Sequence, residues 1–162
     1  MKESDINTII GRSLSWAFKP PDGPTLKGYN PFDGFGALRG DINSQGFPVY
    51  WEAKHLKKPM SFNFNHLKSH QIQNLVSLKE ILPNSLTLFC ICVTYKRTEH
   101  RLYIFRDPHY ILMRKQEKRN ILKKEFDARR NYLLIKKKYI DFSSLLYMPM
   151  EWEYEGDNEY IP

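Results

Sequence analysis

The run from Ser85 to Thr94 constrains the fold more than any other part of this sequence. It is largely apolar and has the length of one β-strand, a combination typical of a strand buried on both faces of a sheet. Its two cysteines, Cys90 and Cys92, share one face of the strand. Same-strand cysteines rarely pair, and a zinc site would need further ligands at suitable spacing. We therefore predict that both are small core residues of a protein in the reducing cytoplasm.

The sequence on either side alternates between helical and strand patterns. Apolar residues at near-helical spacing predict a helix over residues 3–18, which residues 19–24, rich in proline, then break. Five of the eight glycines fall within residues 25–47, which favours turns and short strands there. Further elements are predicted as strands at 34–39, 47–53, 85–94 and 101–105, a turn at 96–100, and helices at 66–82 and 108–117. This order indicates an α/β or α+β domain with a central mixed β-sheet flanked by helices.

The chain is basic, and its charge is unevenly distributed. Its 162 residues suit one domain and contain 25 Lys and Arg against 18 Asp and Glu. Five of the acids and none of the bases fall in the last twelve residues. We therefore predict a domain over 1–150, with a net charge of +12, and an acidic C-terminal tail over 151–162. A body this basic favours nucleic acid or an anionic membrane surface as partner, and a well-solvated basic surface is the alternative. No apolar run is long enough for a signal peptide or a membrane span, so we expect a cytoplasmic protein that does not enter membranes.

One motif carries residues suited to phosphodiester chemistry. Asn30-Pro31-Phe32-Asp33 is followed, after 18 residues, by Glu52-Ala53-Lys54. Phosphodiester hydrolysis requires a divalent cation against the scissile phosphate, and Mg²⁺ is satisfied by one or two carboxylates, a carbonyl oxygen and water. Asp33 and Glu52 supply carboxylates and Ala53 a carbonyl. The motif therefore predicts a metal site formed by these three residues.

The position of Lys54 fits the same chemistry. Residues i and i+2 of a strand share a face, so Lys54 and Glu52 are expected side by side, with Lys54 placed to orient or deprotonate water and stabilise charge on phosphorus. The alternative is a solvated edge strand with an ordinary Glu and Lys, because this spacing often arises by chance. The apolar run that precedes Glu52 favours burial, and a buried ionisable pair needs partners or a metal.

The helix predicted over 66–82 carries three further candidates. Its apolar stripe of Leu67, Leu75, Leu78 and Leu82 is interrupted by Gln71, an amide that is either satisfied by backbone or placed for a site. His66 and His70 lie four residues apart, a spacing that can bind zinc, but no further ligand is near in the sequence. A phosphate contact by His70, or a simple surface position, fits better.

These pieces together resemble the RecU-type Holliday-junction resolvases. The similarity rests on Phe32-Asp33-Gly34, Tyr50-Trp51-Glu52-Ala53-Lys54, Ser61-Phe62, His66 and Ser69-His70-Gln71-Ile72, and it spans roughly residues 28–106. It implies a PD-(D/E)xK nuclease with a restriction-endonuclease-like core, Mg²⁺ or Mn²⁺ as cofactor, and a homodimer that nicks two strands of a four-way DNA junction symmetrically. It also implies a bacterial or phage source.

The resemblance assigns roles to individual residues. Asp33 and Glu52 match the metal ligands, Lys54 the catalytic lysine, and Gln71 the glutamine near the site. The further acid that the family carries on its first helix has Glu3 as its nearest counterpart here, with Asp5 behind it. Family members also carry a long stalk before the aspartate, where this chain has only residues 19–32, so selectivity for junctions is left open.

Basic residues outside the motif are candidate phosphate contacts. Those we expect to touch DNA are Lys57 and Lys58 in a predicted loop over 55–59, His70, Arg114, Lys115 and Lys118, with extension through Arg119, Lys123, Lys124, Arg129 and Arg130. A solvated helix face is the alternative for each of them, and the run Lys136–Lys138 is equally ambiguous. Three functions remain open: a structure-selective endonuclease, a restriction-like or repair nuclease acting on duplex or flap DNA, and a non-catalytic DNA-binding protein on a nuclease fold.

Overall fold

The computed structural model describes residues 1–18, 32–39, 46–143 and 145. Its helices are α1 (Glu3–Ser13), α2 (Ser69–Ile81), α3 (Pro108–Gln116) and α4 (Lys123–Ala128), and its strands are β1 (Trp16–Phe18), β2 (Gly34–Leu38), β3 (Phe47–Leu56), β4 (Leu86–Lys96), β5 (Glu99–Phe105), β6 (Leu133–Lys136) and β7 (Tyr139–Ile140). The predicted break at 19–24, the Asn30 and Pro31 of the motif and the predicted acidic tail lie outside the described residues. None of the helices described is long and apolar enough to cross a membrane.

The strands form one seven-stranded sheet in the order of the sequence. Neighbouring strands are antiparallel except β3 and β4, which are parallel and joined through α2. Parallel neighbours need a crossover connection, which α2 supplies on one face of the sheet. The predicted mixed sheet with flanking helices is therefore confirmed.

The central strand β4 is buried on both faces, as the apolar run predicts. Leu88, Cys90 and Cys92 pack in the core beneath α1, whereas Phe89 and Ile91 point to the opposite core, formed with α2, α3 and α4. Both cysteines are free and buried, and burial raises the pKa of each thiol. They are core residues, as predicted.

The first helix is shorter than its apolar pattern predicts. Leu14 takes an extended backbone conformation, with φ −85° and ψ 159°, and Trp16–Phe18 pairs with β2 as the edge strand β1. The prediction of a helix to residue 18 is therefore wrong. The side chain of Ser13 closes the helix, because its hydroxyl donates to Ile9 O at 2.7 Å and accepts the Ile140 N–H at 2.8 Å.

Other element boundaries also shift. The strand β3 continues to Leu56, so the first residues of the predicted basic loop belong to it. The helix α2 begins at Ser69 rather than at residue 66, and a 3-10 turn over Phe64–His66 precedes it. Its buried residues are Ile72, Leu75 and Val76, whereas Leu82 is exposed. The elements α4, β6 and β7 were not predicted.

The packing of Trp51 makes glycine necessary at position 34. A Cβ on Gly34 would lie 2.2 Å from the Trp51 ring, whereas one on Gly11 in α1 would make an ordinary contact at 3.6 Å. We expect Gly34→Ala to lower the free energy of unfolding by about 1–3 kcal/mol through overpacking. The matched change Gly11→Ala should raise it by about 0.5–1 kcal/mol, because alanine favours a helix. Urea unfolding measures both values, and equal values for the two variants would contradict this packing.

Candidate active site

The candidate site lies where β3 extends beyond β2. The pairing of these strands ends at Gly34 opposite Trp51, whereas β3 continues to Leu56 against β4. Asp33 occupies the edge of β3 that this leaves. Its N–H donates to Trp51 O at 2.9 Å, and its Oδ2 accepts the N–H of Ala53 at 2.8 Å. Because β2 begins only at Gly34, the carboxylate of Asp33 is fixed beside the backbone of Ala53.

Glu52 and Lys54 lie together on the face of β3 that α2 covers. The Lys54 Nζ is 2.8 Å from the Glu52 Oε1, and Glu52 is only 1% exposed. Ala53, between them, points into the core beneath α1. The i, i+2 spacing thus places the ion pair on one face and a core residue on the other.

Two helices complete the surroundings of this pair. From α2, the Gln71 Nε2 donates to the Glu52 Oε1 at 2.5 Å, and its Oε1 accepts the Lys68 N–H at 3.1 Å. The amide is therefore both satisfied by backbone and directed at the site. From α1, the Glu3 Oε1 accepts a hydrogen bond from Lys54 Nζ at 3.0 Å. Asp5 instead accepts the Lys2 N–H at 2.6 Å, so Glu3 is the acid of the first helix that reaches the site.

The site carries more negative than positive charge. Burial first, and then the carboxylate of Asp33, raise the pKa of Glu52 to about 7, although Lys54 opposes them. Burial lowers the pKa of Lys54, but the carboxylates of Glu52 and Glu3 outweigh it, so this pKa lies above its ordinary value and the amine is protonated. Lys54 pairs with Glu52 and Glu3, and Asp33 adds a third carboxylate near Glu52, which leaves a net formal charge of −2 when Glu52 is ionised.

This charge and donor set fit a hard divalent cation. Asp33 and Glu52 offer carboxylate oxygens. The Ala53 carbonyl points to the same side of β3 as the Ala53 N–H that Asp33 accepts, because both groups of one strand residue face the same way. Within the described ranges, no three His, Cys, Asp or Glu side chains form a metal-binding group. A cation here would rely on two carboxylates, a backbone oxygen and water, which is the kind of coordination that Mg²⁺ accepts.

The expected phosphate contacts have different environments. Lys57 and Lys58 are exposed just beyond the end of β3, and Lys118 is exposed after α3. His70 is partly buried beside Gln71 on α2. Lys115 donates to the carbonyls of Leu67 and of Phe64, the latter at 3.3 Å, and so holds the 3-10 turn that leads into α2.

The environment of Arg114 contradicts the expectation that this residue contacts DNA. It is 3% exposed, and its guanidinium donates to Tyr110 Oη at 2.8 Å, to Glu125 Oε1 at 2.8 Å and to Asn120 O at 2.6 Å. A guanidinium so enclosed joins α3 to α4 and is not placed for DNA. The tyrosine four residues before it was the available signal, since residues at i and i+4 of a helix touch.

The zinc alternative also loses its geometric basis. His66 lies in the 3-10 turn and His70 on α2, so the two do not project from one helix at i, i+4.

Three aromatic residues, Phe32, Phe35 and Tyr50, pack against one another next to Asp33, with the Phe32 and Tyr50 ring centroids 5.2 Å apart. Phe32 and Tyr50 also pack against the core that α2 covers, so they lie on the same face of the sheet as Glu52.

The sequence matches no protein-family profile, and no curated protein is significantly similar to it.

The raised pKa of Glu52 predicts a characteristic dependence of stability on pH. Because the carboxyl ionises at a higher pH when folded than when unfolded, its contribution to stability is present below about pH 4.5 and is lost as the pH rises to about 7. In the presence of a chelator, Glu52→Gln should therefore be as stable as the wild type at pH 4.5 and more stable at pH 8, by on the order of 3 kcal/mol. The melting temperature measured across this range tests it.

The matched control for this experiment is Glu117→Gln, which removes an exposed carboxylate whose ion-pair partner, Arg119, keeps its charge across this pH range. Its melting temperature should differ from that of the wild type by nearly the same amount at every pH. A difference between Glu52→Gln and the wild type that stays constant from pH 4.5 to 8 would show that the buried carboxylate is not destabilised by ionisation.

Proposed function

We propose that this chain is a metal-dependent DNA endonuclease of the PD-(D/E)xK class, with Asp33, Glu52 and Lys54 at its catalytic centre. The observation that supports it most directly is the buried carboxylate of Glu52, surrounded by Lys54, Gln71 and a second carboxylate. Burying a charge costs free energy unless a partner compensates. Here the ammonium of Lys54 pairs with two of the three carboxylates, and a divalent cation would balance the remaining charge.

The architecture is compatible with a restriction-endonuclease-like core. A helix, an antiparallel set of strands, a crossover helix and a parallel strand follow one another in α1, β1 to β3, α2 and β4. This order brings the candidate residues from α1, β3 and α2 to one end of the sheet. The resemblance to the RecU-type resolvases rests on the motif, and the convergence of these residues in space supports the proposal of a common site.

The residues have separable roles in the proposed reaction. Asp33, Glu52 and the carbonyl of Ala53 would hold Mg²⁺ or Mn²⁺, which when bound polarises the scissile phosphate. Lys54 carries its proton, so it donates hydrogen bonds to the phosphate and stabilises charge there rather than acting as a base. Gln71 positions the Glu52 carboxylate. Glu3 accepts a hydrogen bond from Lys54 and so orients its ammonium group.

We further propose four-way DNA junctions as the substrate and a homodimer as the active form. Both proposals come from the resemblance, since symmetric nicking of a junction needs two active sites. The exposed Lys57 and Lys58 lie just beyond β3, where they would hold phosphates of the bound strand. Cutting of linear duplex or flap DNA would instead indicate a restriction-like or repair nuclease.

Cleavage of labelled four-way junction, linear duplex and flap DNA, with Mg²⁺ or with EDTA, tests the proposal. We expect paired nicks in the junction that require the metal. Asp33→Asn should lower the cleavage rate by about 100-fold or more, because it removes a metal-ligand charge. It should change binding in EDTA little, since the asparagine oxygen can still accept the Ala53 N–H.

The matched control is Asp141→Asn, an exposed aspartate that also accepts a backbone N–H, from Ser143 at 2.9 Å. It should cut at the wild-type rate. Binding without metal-dependent cleavage by the wild type would identify a non-catalytic DNA-binding protein, and an unchanged rate in Asp33→Asn would refute the assignment of the site.

A further inference from the structure

A pocket opens on the side of α1 away from the candidate site, between this helix and the β6–β7 hairpin. It encloses about 680 Å³, within the range of roughly 300–1,000 Å³ common for ligand pockets. Arg12, His100, Lys137 and Lys138 line it, together with a single acid, Asp5. The pocket therefore gathers basic groups from three separate elements: α1, β5 and the turn between β6 and β7.

The positive charge of this pocket is not neutralised by the protein. In the part of the chain that the structure describes, Arg12, Lys137 and Lys138 form no ion pair or hydrogen bond through their side chains. The carboxylate of Asp5 already accepts the Lys2 N–H. Burial lowers the pKa of His100, so its ring contributes little charge, and Arg12 and the two lysines define the charge that a ligand meets.

The backbone at these two lysines is unusual. Lys137 and Lys138 have φ values of 49° and 61° and form the two-residue turn between β6 and β7. Two successive positive φ angles suit Asn-Gly far better than residues with long side chains, for which this conformation costs about 1–2 kcal/mol each. The turn therefore carries two positive charges at positions where local folding favours other residues.

The pocket and the candidate active site lie on opposite sides of α1. Glu3 faces β3 and reaches Lys54, whereas Asp5 and Arg12 face the pocket. We propose that this pocket binds the phosphate backbone of a DNA segment that continues beyond the site of cleavage, an inference that rests on the proposed nuclease function. Its lining contains no Phe, Tyr or Trp ring and no amide side chain, and its charge comes mainly from Arg and Lys, so it would hold phosphates without reading bases.

The dependence of DNA binding on salt tests the proposal. Removing one cation that pairs with a phosphate reduces the slope of log K against log salt by about 0.9. The triple variant Arg12→Gln, Lys137→Asn, Lys138→Asn removes three charges, and asparagine tolerates the left-handed turn. For a labelled linear duplex in EDTA, we expect the slope to fall by about 2–3 and affinity near 0.1 M salt to fall at least about tenfold.

The matched control is Arg39→Gln, Lys96→Gln, Arg97→Gln, which removes the same charge from exposed positions that neither line the pocket nor belong to the expected DNA contacts. An equal change of slope in both variants would reduce the effect to overall charge and overturn the proposal. An unchanged slope in the pocket variant would also overturn it. So would a pocket variant that binds tripolyphosphate more weakly than the wild type but binds DNA equally well, because that result would indicate a site for small anions. The assay measures DNA binding in the absence of metal. Its outcome therefore does not depend on whether the protein can cut DNA.

Discussion

The buried carboxylate of Glu52 is the group on which the arrangement of this molecule depends. An ionisable group at 1% exposure requires partners, and those partners come from three elements: Lys54 on β3, Gln71 on α2 and, through Lys54, Glu3 on α1. The first turns of both helices are thereby tied to one strand. Cores of aliphatic and aromatic residues hold the two helices against the sheet. The polar contacts add directional constraints between the first turn of each helix and β3.

The sheet places this group where chemistry is possible. Because β3 and β4 are parallel, α2 must cross one face of the sheet and descends over Glu52. Because β2 begins only at Gly34, the last residues of β3 lie beside the side chain of Asp33 instead of another strand. A longer β2 would have used the Ala53 N–H and carbonyl in its hydrogen-bond ladder. The site thus depends on a mismatch in strand length as much as on the motif itself.

Patterns in the sequence predicted the features that depend on a single helix or strand. The apolar run of β4, the shared face of Glu52 and Lys54, and the polar interruption at Gln71 each follow from the geometry of one element. Contacts between distant segments were not accessible in this way. The burial of Arg114 depends on Glu125 and Asn120, which no periodicity connects to it. The strand at Trp16–Phe18 continues the apolar spacing of α1, so only pairing with β2 separates the two. The β6–β7 turn lacks the Asn-Gly signal of a hairpin, because lysines occupy it.

The contact between the Asp33 carboxylate and the Ala53 N–H also covers part of an open strand edge. An exposed strand edge with open backbone donors is a template on which another chain can add a strand, and charged side chains are one way in which proteins prevent this. In the residues described, the edge of β3 past Trp51 has no neighbouring strand, and Asp33 occupies the donor at its centre. A small apolar residue at position 33 would open that edge to oligomers. Loss of function in such a protein would then reflect aggregation as well as the missing carboxylate.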